Sequence, residues 1–263
     1  MLEQPERALE FFQRALAVEP QDHELRVKVR DMLDDLWRVD DGMAFVRRMA
    51  VDSAFFADTL CYHANLSARL APDEVFAIHR DWARRFADPL LEAPPLFAND
   101  RDPQRRLRLG YVSGDLRRHS VSIFFEPLLR THDRSRFEIF LYDNNRREKD
   151  AVAERLRGMC DHWREIKDLD DKQVFDQIQA DGIDVLVDLT GHTDMHRLEA
   201  FALKPAPVQI TYLGAIETTG MQAMDWRIVD PNTDPPGLTE RYHNEQLLRI
   251  EGGFLWYEPL PVV

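Results

Sequence analysis

LRLGYVSGDLRRHS, residues 107–120, marks the point where the chain changes character. Upstream of it the apolar residues recur at helical spacing. From Leu107 onward, short apolar runs alternate with helical segments. Leu107–Val112 reads as a strand that stops at a Ser-Gly-Asp turn, and the same reading predicts strands at Phe137–Tyr142, Asp184–Asp188, Val208–Tyr212 and Trp226–Val229. Helices are predicted between them, at about 121–131, 150–160, 170–181 and 194–202. This alternation predicts parallel βαβ units in a doubly wound α/β sheet. Such sheets bind ligands beyond the carboxyl ends of their strands, so the loops after Val112, Asp188 and Tyr212 are where chemistry is expected.

Toward the N-terminus, residues 5–20 (PERALEFFQRALAVEP) place Ala8, Phe12, Ala15 and Leu16 on one helical stripe, closed by Pro20. The Ala-x3-Phe…Pro arrangement is similar to the second helix of a tetratricopeptide (TPR) repeat. A lone half-repeat cannot bury its apolar face. Either it stacks on the next helix, about Gln21 to Trp37, or it belongs to a longer array. Residues 38–88 continue the helical pattern, with Pro72-Asp73-Glu74 a good helix start. Asp88 to Arg106 carries Pro89, Pro94, Pro95 and Pro103 among charges and reads as a linker. The expected division is a partial repeat at 1–37, a helical linker region at 38–104 and the α/β domain at 105–263.

A chain of 263 residues suits one α/β domain plus a helical annex, and 44% hydrophobic residues are enough for a buried core. A formal charge of −13 works against nucleic acid as a partner, because phosphate binding needs a concentrated basic face. Cys61 and Cys160 form no CxxC pair, which fits a reducing compartment without a disulfide frame or zinc ribbon. The first residues lack an apolar signal-peptide run, and no stretch approaches the ~20 apolar residues that span a bilayer. The expectation is a cytoplasmic protein with no membrane partner.

The loop after Val112 sets Asp115 and His119 four residues apart, a carboxylate and an imidazole that can exchange protons with a substrate hydroxyl. The plainer reading is a capped helix start with an exposed histidine. No GxGxxG is present, which disfavours a nicotinamide dehydrogenase. After Asp188, His192 and His196 stand at i, i+4 as in the zinc motif HExxH, but Thr193 replaces the glutamate, so no metal is expected. Gly191 for a tight turn, with Thr193 and Asp194 capping the next helix, accounts for most of that string. The third loop, Leu213-Gly214-Ala215-Ile216-Glu217-Thr218-Thr219-Gly220, offers glycines, threonines and backbone amides suited to a sugar or phosphate.

In order along the chain, LRLGYVSGDLRRHSV, DGIDVLVDLTGHT, FALKPAPVQITYLG, TTGMQAMDWRIVD and DPPGLTERYHNEQLLRI resemble glycosyltransferase family 41, the O-GlcNAc transferases and SPINDLY-like proteins. The resemblance covers about residues 70–259. It implies a TPR array followed by two Rossmann-like lobes of GT-B type with the active cleft between them, this chain being the end of the array plus the first lobe. It implies catalytic roles for His119 and Asp115 and a sugar-bordering loop at Leu213 and Gly214; the loop's own residues add Thr218 and Thr219 as expected substrate contacts. The implied reaction is inverting transfer from a nucleotide sugar, UDP-GlcNAc by resemblance, to Ser or Thr of protein acceptors recruited through the TPR region. It needs no metal or other cofactor.

Two departures stand out. The family usually has Tyr-Pro-Gly or His-Pro-Asn after that Leu-Gly, whereas Ala215-Ile216-Glu217 stands here, and a carboxylate beside a bound diphosphate repels it. Where relatives often show His-Ser in the helical segment, this chain has Asp52-Ser53. The sequence also stops where the family's linker to a second lobe begins, and that lobe holds the uridine and diphosphate contacts in the family. The leading expectation is therefore the acceptor-side half of a protein O-GlcNAc-transferase-like enzyme, inactive alone and awaiting its C-terminal catalytic lobe. The alternatives are a non-catalytic truncated TPR/Rossmann binding module and an unrelated Rossmann-like ligand-binding protein.

Overall fold

The computed structural model describes residues 3–91 and 97–258. Pro94 and Pro95 of the expected linker lie outside the described residues, as does Pro259. The chain divides into two units, residues 1–78 and 79–263.

The first unit is helical: α1 (Glu3–Val18), α2 (His23–Asp35), α3 (Val39–Met49), α4 (Ala54–Leu66) and the greater part of α5 (Pro72–Trp82). Helix α1 ends just ahead of Pro20, and Asp22 caps α2 by accepting the Leu25 amide at 2.9 Å. Leu9, Val29 and Leu33 form a small core with Phe12, Leu16 and Phe45 around it, so the amphipathic stripe of α1 is covered by the following helices. Buried His63 bonds the Thr59 carbonyl at 2.8 Å and Asp34 Oδ1 at 2.6 Å, tying α4 to α2.

The second unit holds a seven-stranded, wholly parallel sheet. Its strands are β1 (Leu107–Ser113), β2 (Phe137–Asp143), β3 (His162–Glu165), β4 (Val185–Asp188), β5 (Val208–Thr211), β6 (Trp226–Val229) and β7 (Gln246–Arg249), in the order β3-β2-β1-β4-β5-β6-β7. Between them run α6 (Ser120–Thr131), α7 (Ala151–Arg157), α8 (Asp171–Asp181) and α9 (Leu198–Ala202). The expected parallel α/β sheet with a helical segment ahead of it is what the structure contains. Tyr111, Leu116, Phe125, Leu129, Ile139, Leu141, Leu156 and Val187 build its main core.

Three details differ from the sequence reading. Strands β3 (HWRE) and β7 (QLLR) were not anticipated. They are the sheet's two edges, and edge strands carry polar residues in place of the long apolar run of a strand covered on both faces. Helix α9 begins at Leu198 instead of about residue 194. Thr193 and Asp194 do not cap it: Thr193 Oγ1 donates to the Thr190 carbonyl at 3.0 Å, and Asp194 Oδ1 accepts the Met195 amide, so both shape the preceding loop.

The strand order positions the site. From β1 the chain moves outward through β2 and β3, then returns to the other side of β1 at β4. The switch point of the sheet therefore lies between the carboxyl ends of β1 and β4, where Val112 pairs with Asp188.

Candidate functional site

Four loops meet at this end of the sheet, and backbone proximity stitches them together. A Cβ on Gly114, after β1, would lie 2.4 Å from Met195 Cβ in the loop after β4. Asn144, after β2, donates from Nδ2 to the Met195 carbonyl at 2.8 Å, while its Oδ1 accepts Arg197 Nε at 3.0 Å. A Cβ on Gly214, after β5, would stand 2.5 Å from the Leu189 carbonyl oxygen and from Thr190 Cα, so only glycine lets these two backbones touch. The β1 and β5 loops are separated by one intervening strand, ~10 Å in two interstrand steps.

In the β1 loop, Asp115 is buried. Its amide donates to Ser113 Oγ at 2.9 Å, its carbonyl accepts the Ser122 hydroxyl at 2.8 Å, and its Oδ1 accepts Arg117 Nη2 at 3.0 Å. His119, 35% exposed at its side chain, sets Nδ1 3.6 Å from Asp115 Oδ2. The same Nδ1 accepts the Val121 amide at 3.3 Å and so N-caps α6. The histidine is thus the helix cap of the plainer reading, with its capping nitrogen close to the aspartate. Accepting that amide requires the Nδ1 lone pair, which puts the ring proton on Nε2, the outward nitrogen.

The β4 loop is organised by Asp188. Its buried carboxylate accepts the Thr190 amide at 3.0 Å, the Gly191 amide at 2.9 Å and the Thr211 hydroxyl at 2.9 Å. Burial pushes its carboxyl above the ordinary range, and these donors pull in the opposite direction. His192 is buried, bonds the Thr219 carbonyl through Nε2 at 3.0 Å, and packs edge-on against Trp82 with centroids 4.6 Å apart. His196 Nδ1 accepts the Leu198 amide at 3.2 Å. His196 shapes its own loop, whereas His192 ties the β4 loop to the β5 loop.

In the β5 loop, Leu213 adopts a left-handed backbone (φ 72°) and Gly214 N–H closes a tight turn on the Tyr212 carbonyl at 2.9 Å. Ile216 is 67% exposed at the tip. Glu217 is half-buried; burial raises its carboxyl above the usual range and nearby Arg227 opposes that rise. Thr218 and Thr219 are buried, and their hydroxyls both donate to Glu245, Thr218 Oγ1 at 2.5 Å; the Thr219 amide donates to the same carboxylate at 2.7 Å.

The structure therefore brings His119 within 3.6 Å of Asp115, sets Leu213 and Gly214 on the same sheet end, and commits the Thr218 and Thr219 hydroxyls of that loop to Glu245. Two residues escaped the sequence reading. Arg227, in the middle of β6, donates to the carbonyls of Glu217 at 2.6 Å and Ala215 at 2.9 Å. A charged residue inside the apolar run Trp226–Val229 was the available signal. Glu245 gave none, because its partners lie 26 and 27 residues away.

This is a doubly wound α/β domain with polar loops gathered at its topological switch point. Residues 89–255 match the profile of Glycosyl transferase family 41, and the chain belongs to that family. A probable SPINDLY UDP-N-acetylglucosamine–peptide N-acetylglucosaminyltransferase of Petunia hybrida is 39% identical over 193 residues, 72% of this chain and 20% of the relative. The corresponding Caenorhabditis elegans transferase is 33% identical over 157 residues, 58% of this chain and 14% of its own length. The solved structure of a point mutant of Thermobaculum terrenum O-GlcNAc transferase superposes with a TM-score of 0.91 at 39% identity, over 98% of this chain and 49% of that one. The chain thus spans about half of that solved protein and a fifth of the SPINDLY relative. Among the described residues no helix is long and apolar enough to cross a membrane.

Proposed function

We propose that this chain forms the acceptor-side lobe of a cytoplasmic protein O-GlcNAc-transferase-like enzyme that moves a sugar from UDP-GlcNAc to Ser or Thr of protein acceptors. The reading is carried by the Asp115–His119 pair at the switch point of a family 41 lobe. In the proposed reaction the acceptor oxygen attacks the anomeric carbon, the bond from that carbon to the diphosphate oxygen breaks, and uridine diphosphate leaves with the electron pair. The acceptor proton passes to a base on this lobe. Asp115 and His119 are the proposed proton-handling groups. Leu213 and Gly214 border the sugar, with Thr218 and Thr219 supporting that wall. A positioned base contributes ~10²–10⁴-fold to such a step.

In this reading residues 1–37 are repeat-like, 38–104 connect, and 105–263 form the lobe. Protein acceptors engage the repeat-like helices, and the uridine and diphosphate lie against a second lobe across the cleft. The Ala215-Ile216-Glu217 departure favours a second reading, a non-catalytic binding module with the same fold. The two are separated by pairing this lobe with a family 41 second lobe and measuring sugar transfer from UDP-GlcNAc to a Ser/Thr peptide. Transfer above the rate of the second lobe alone supports the enzyme. Acceptor binding without transfer supports the module.

A further inference from the structure

The segment 215–219 has no helix or strand of its own, yet two buried charges grip it from opposite polarities. The Arg227 guanidinium, on a residue 3% exposed, takes the carbonyls of Ala215 and Glu217 with its two terminal nitrogens. The Glu245 carboxylate takes the Thr218 hydroxyl and the Thr219 amide and hydroxyl. On the far side Gly214 rests against the Leu189–Thr190 backbone. Arg227 Nε is buried with no hydrogen-bond partner among the described residues, so the guanidinium's fork is committed to the loop and not to a salt bridge. A buried ion set of this kind contributes little net stability compared with apolar residues of the same volume; its attested use is to specify one conformation.

We propose that Arg227 is a positioning residue that presets the backbone of Ala215–Glu217 as the wall met by a nucleotide sugar. The proposal rests on the transferase reading for its substrate and on the hydrogen bonds alone for the clamp. The planar fork is essential: lysine keeps the charge beside Glu245, Glu217 and Asp234 but cannot hold two carbonyls in a fixed fork.

Two measurements test it separately. In the wild-type chain, nitrogen-15 spectra should resolve the Arg227 terminal nitrogens as slowly rotating, and freely averaged signals would overturn the clamp even if every Arg227 variant failed to fold. In Arg227→Lys, backbone order parameters of 215–217 should fall from about 0.85 to below about 0.6 while the β1 and β4 loops stay rigid. Unchanged order at 215–217 overturns the proposal. In a two-lobe protein carrying this lobe, Arg227→Lys should raise the donor KM about tenfold with a smaller change in kcat, and equal KM values would show that the clamp does not serve the donor. A wild-type two-lobe protein that transfers no sugar refutes the transferase reading, while the spectra still decide the clamp.

Discussion

His119 and Asp115 face each other across 3.6 Å, Nδ1 to Oδ2, while the same Nδ1 accepts the Val121 amide. His119 is therefore both a proposed proton-handling group and the cap of α6, and replacing it with alanine removes both. The cap is worth ~1 kcal/mol. Asparagine caps helices as well as any residue but lacks an imidazole. In a two-lobe protein, His119→Asn should retain the melting temperature of wild type and still lose about 10²-fold or more in transfer rate, with Asp115→Asn giving a comparable loss. A rate recovered by His119→Asn but not by His119→Ala would assign the histidine to capping alone.

The parts of this site that were legible in the sequence are those set by local pattern. The apolar runs at Leu109, Val112, Leu186 and Ile210 announced buried parallel strands, and strand ends in such sheets are where ligands go, so the loops that carry Asp115, His119 and the Leu213-Gly214 turn were singled out before their geometry. Features that depend on distant partners stayed hidden. Trp163 and Leu247 lie on edge strands too short and polar to declare themselves. Thr218 and Thr219 read as part of a loop suited to a sugar or phosphate because Glu245, which binds both hydroxyls, lies beyond any local window.

At the carboxyl end of β2, burial lifts the Asp143 carboxyl from 3.8 to about 6, with Glu165 adding to the rise and Lys149 and Lys167 opposing it. A raised carboxyl stabilises the fold while protonated, below pH 4, and that contribution is lost as pH climbs through about 6. The loss is on the order of 2–3 kcal/mol. Asparagine keeps the oxygen that accepts the Asn145 amide at 2.9 Å. Asp143→Asn should therefore melt several degrees above wild type at pH 7.5 and match it at pH 4. Equal melting temperatures at both values would mean that Asp143 ionises without penalty.

Gly214 meets the backbone of Leu189 and Thr190, which cannot rotate away as a side chain can. Gly214→Ala must push the β4 and β5 loops apart, at a cost of about 1–3 kcal/mol. Urea unfolding should show a lower midpoint at an unchanged slope. The same substitution should weaken sugar-nucleotide binding in a two-lobe protein beyond what the stability loss explains. A midpoint equal to that of wild type would show that the loops separate freely.

Glu217 stands where relatives of this family usually lack a carboxylate, on the loop proposed to border the sugar and diphosphate. A charge about 6 Å from a phosphate costs roughly 3 kcal/mol at an effective dielectric near 20, which corresponds to about a hundredfold in affinity. Arg227 beneath the loop offsets part of this, and burial favours the neutral acid, so the penalty should shrink as pH falls. In a two-lobe protein, Glu217→Gln should tighten uridine diphosphate binding at pH 8 by up to that factor and flatten its pH dependence. Replacing Ala215-Ile216-Glu217 with Tyr-Pro-Gly should go further and raise transfer as well. Titration calorimetry of both variants at pH 6 and pH 8 decides the matter. If neither gains affinity at pH 8, Glu217 points away from the diphosphate, and the loop is a neutral variation held in place by Arg227.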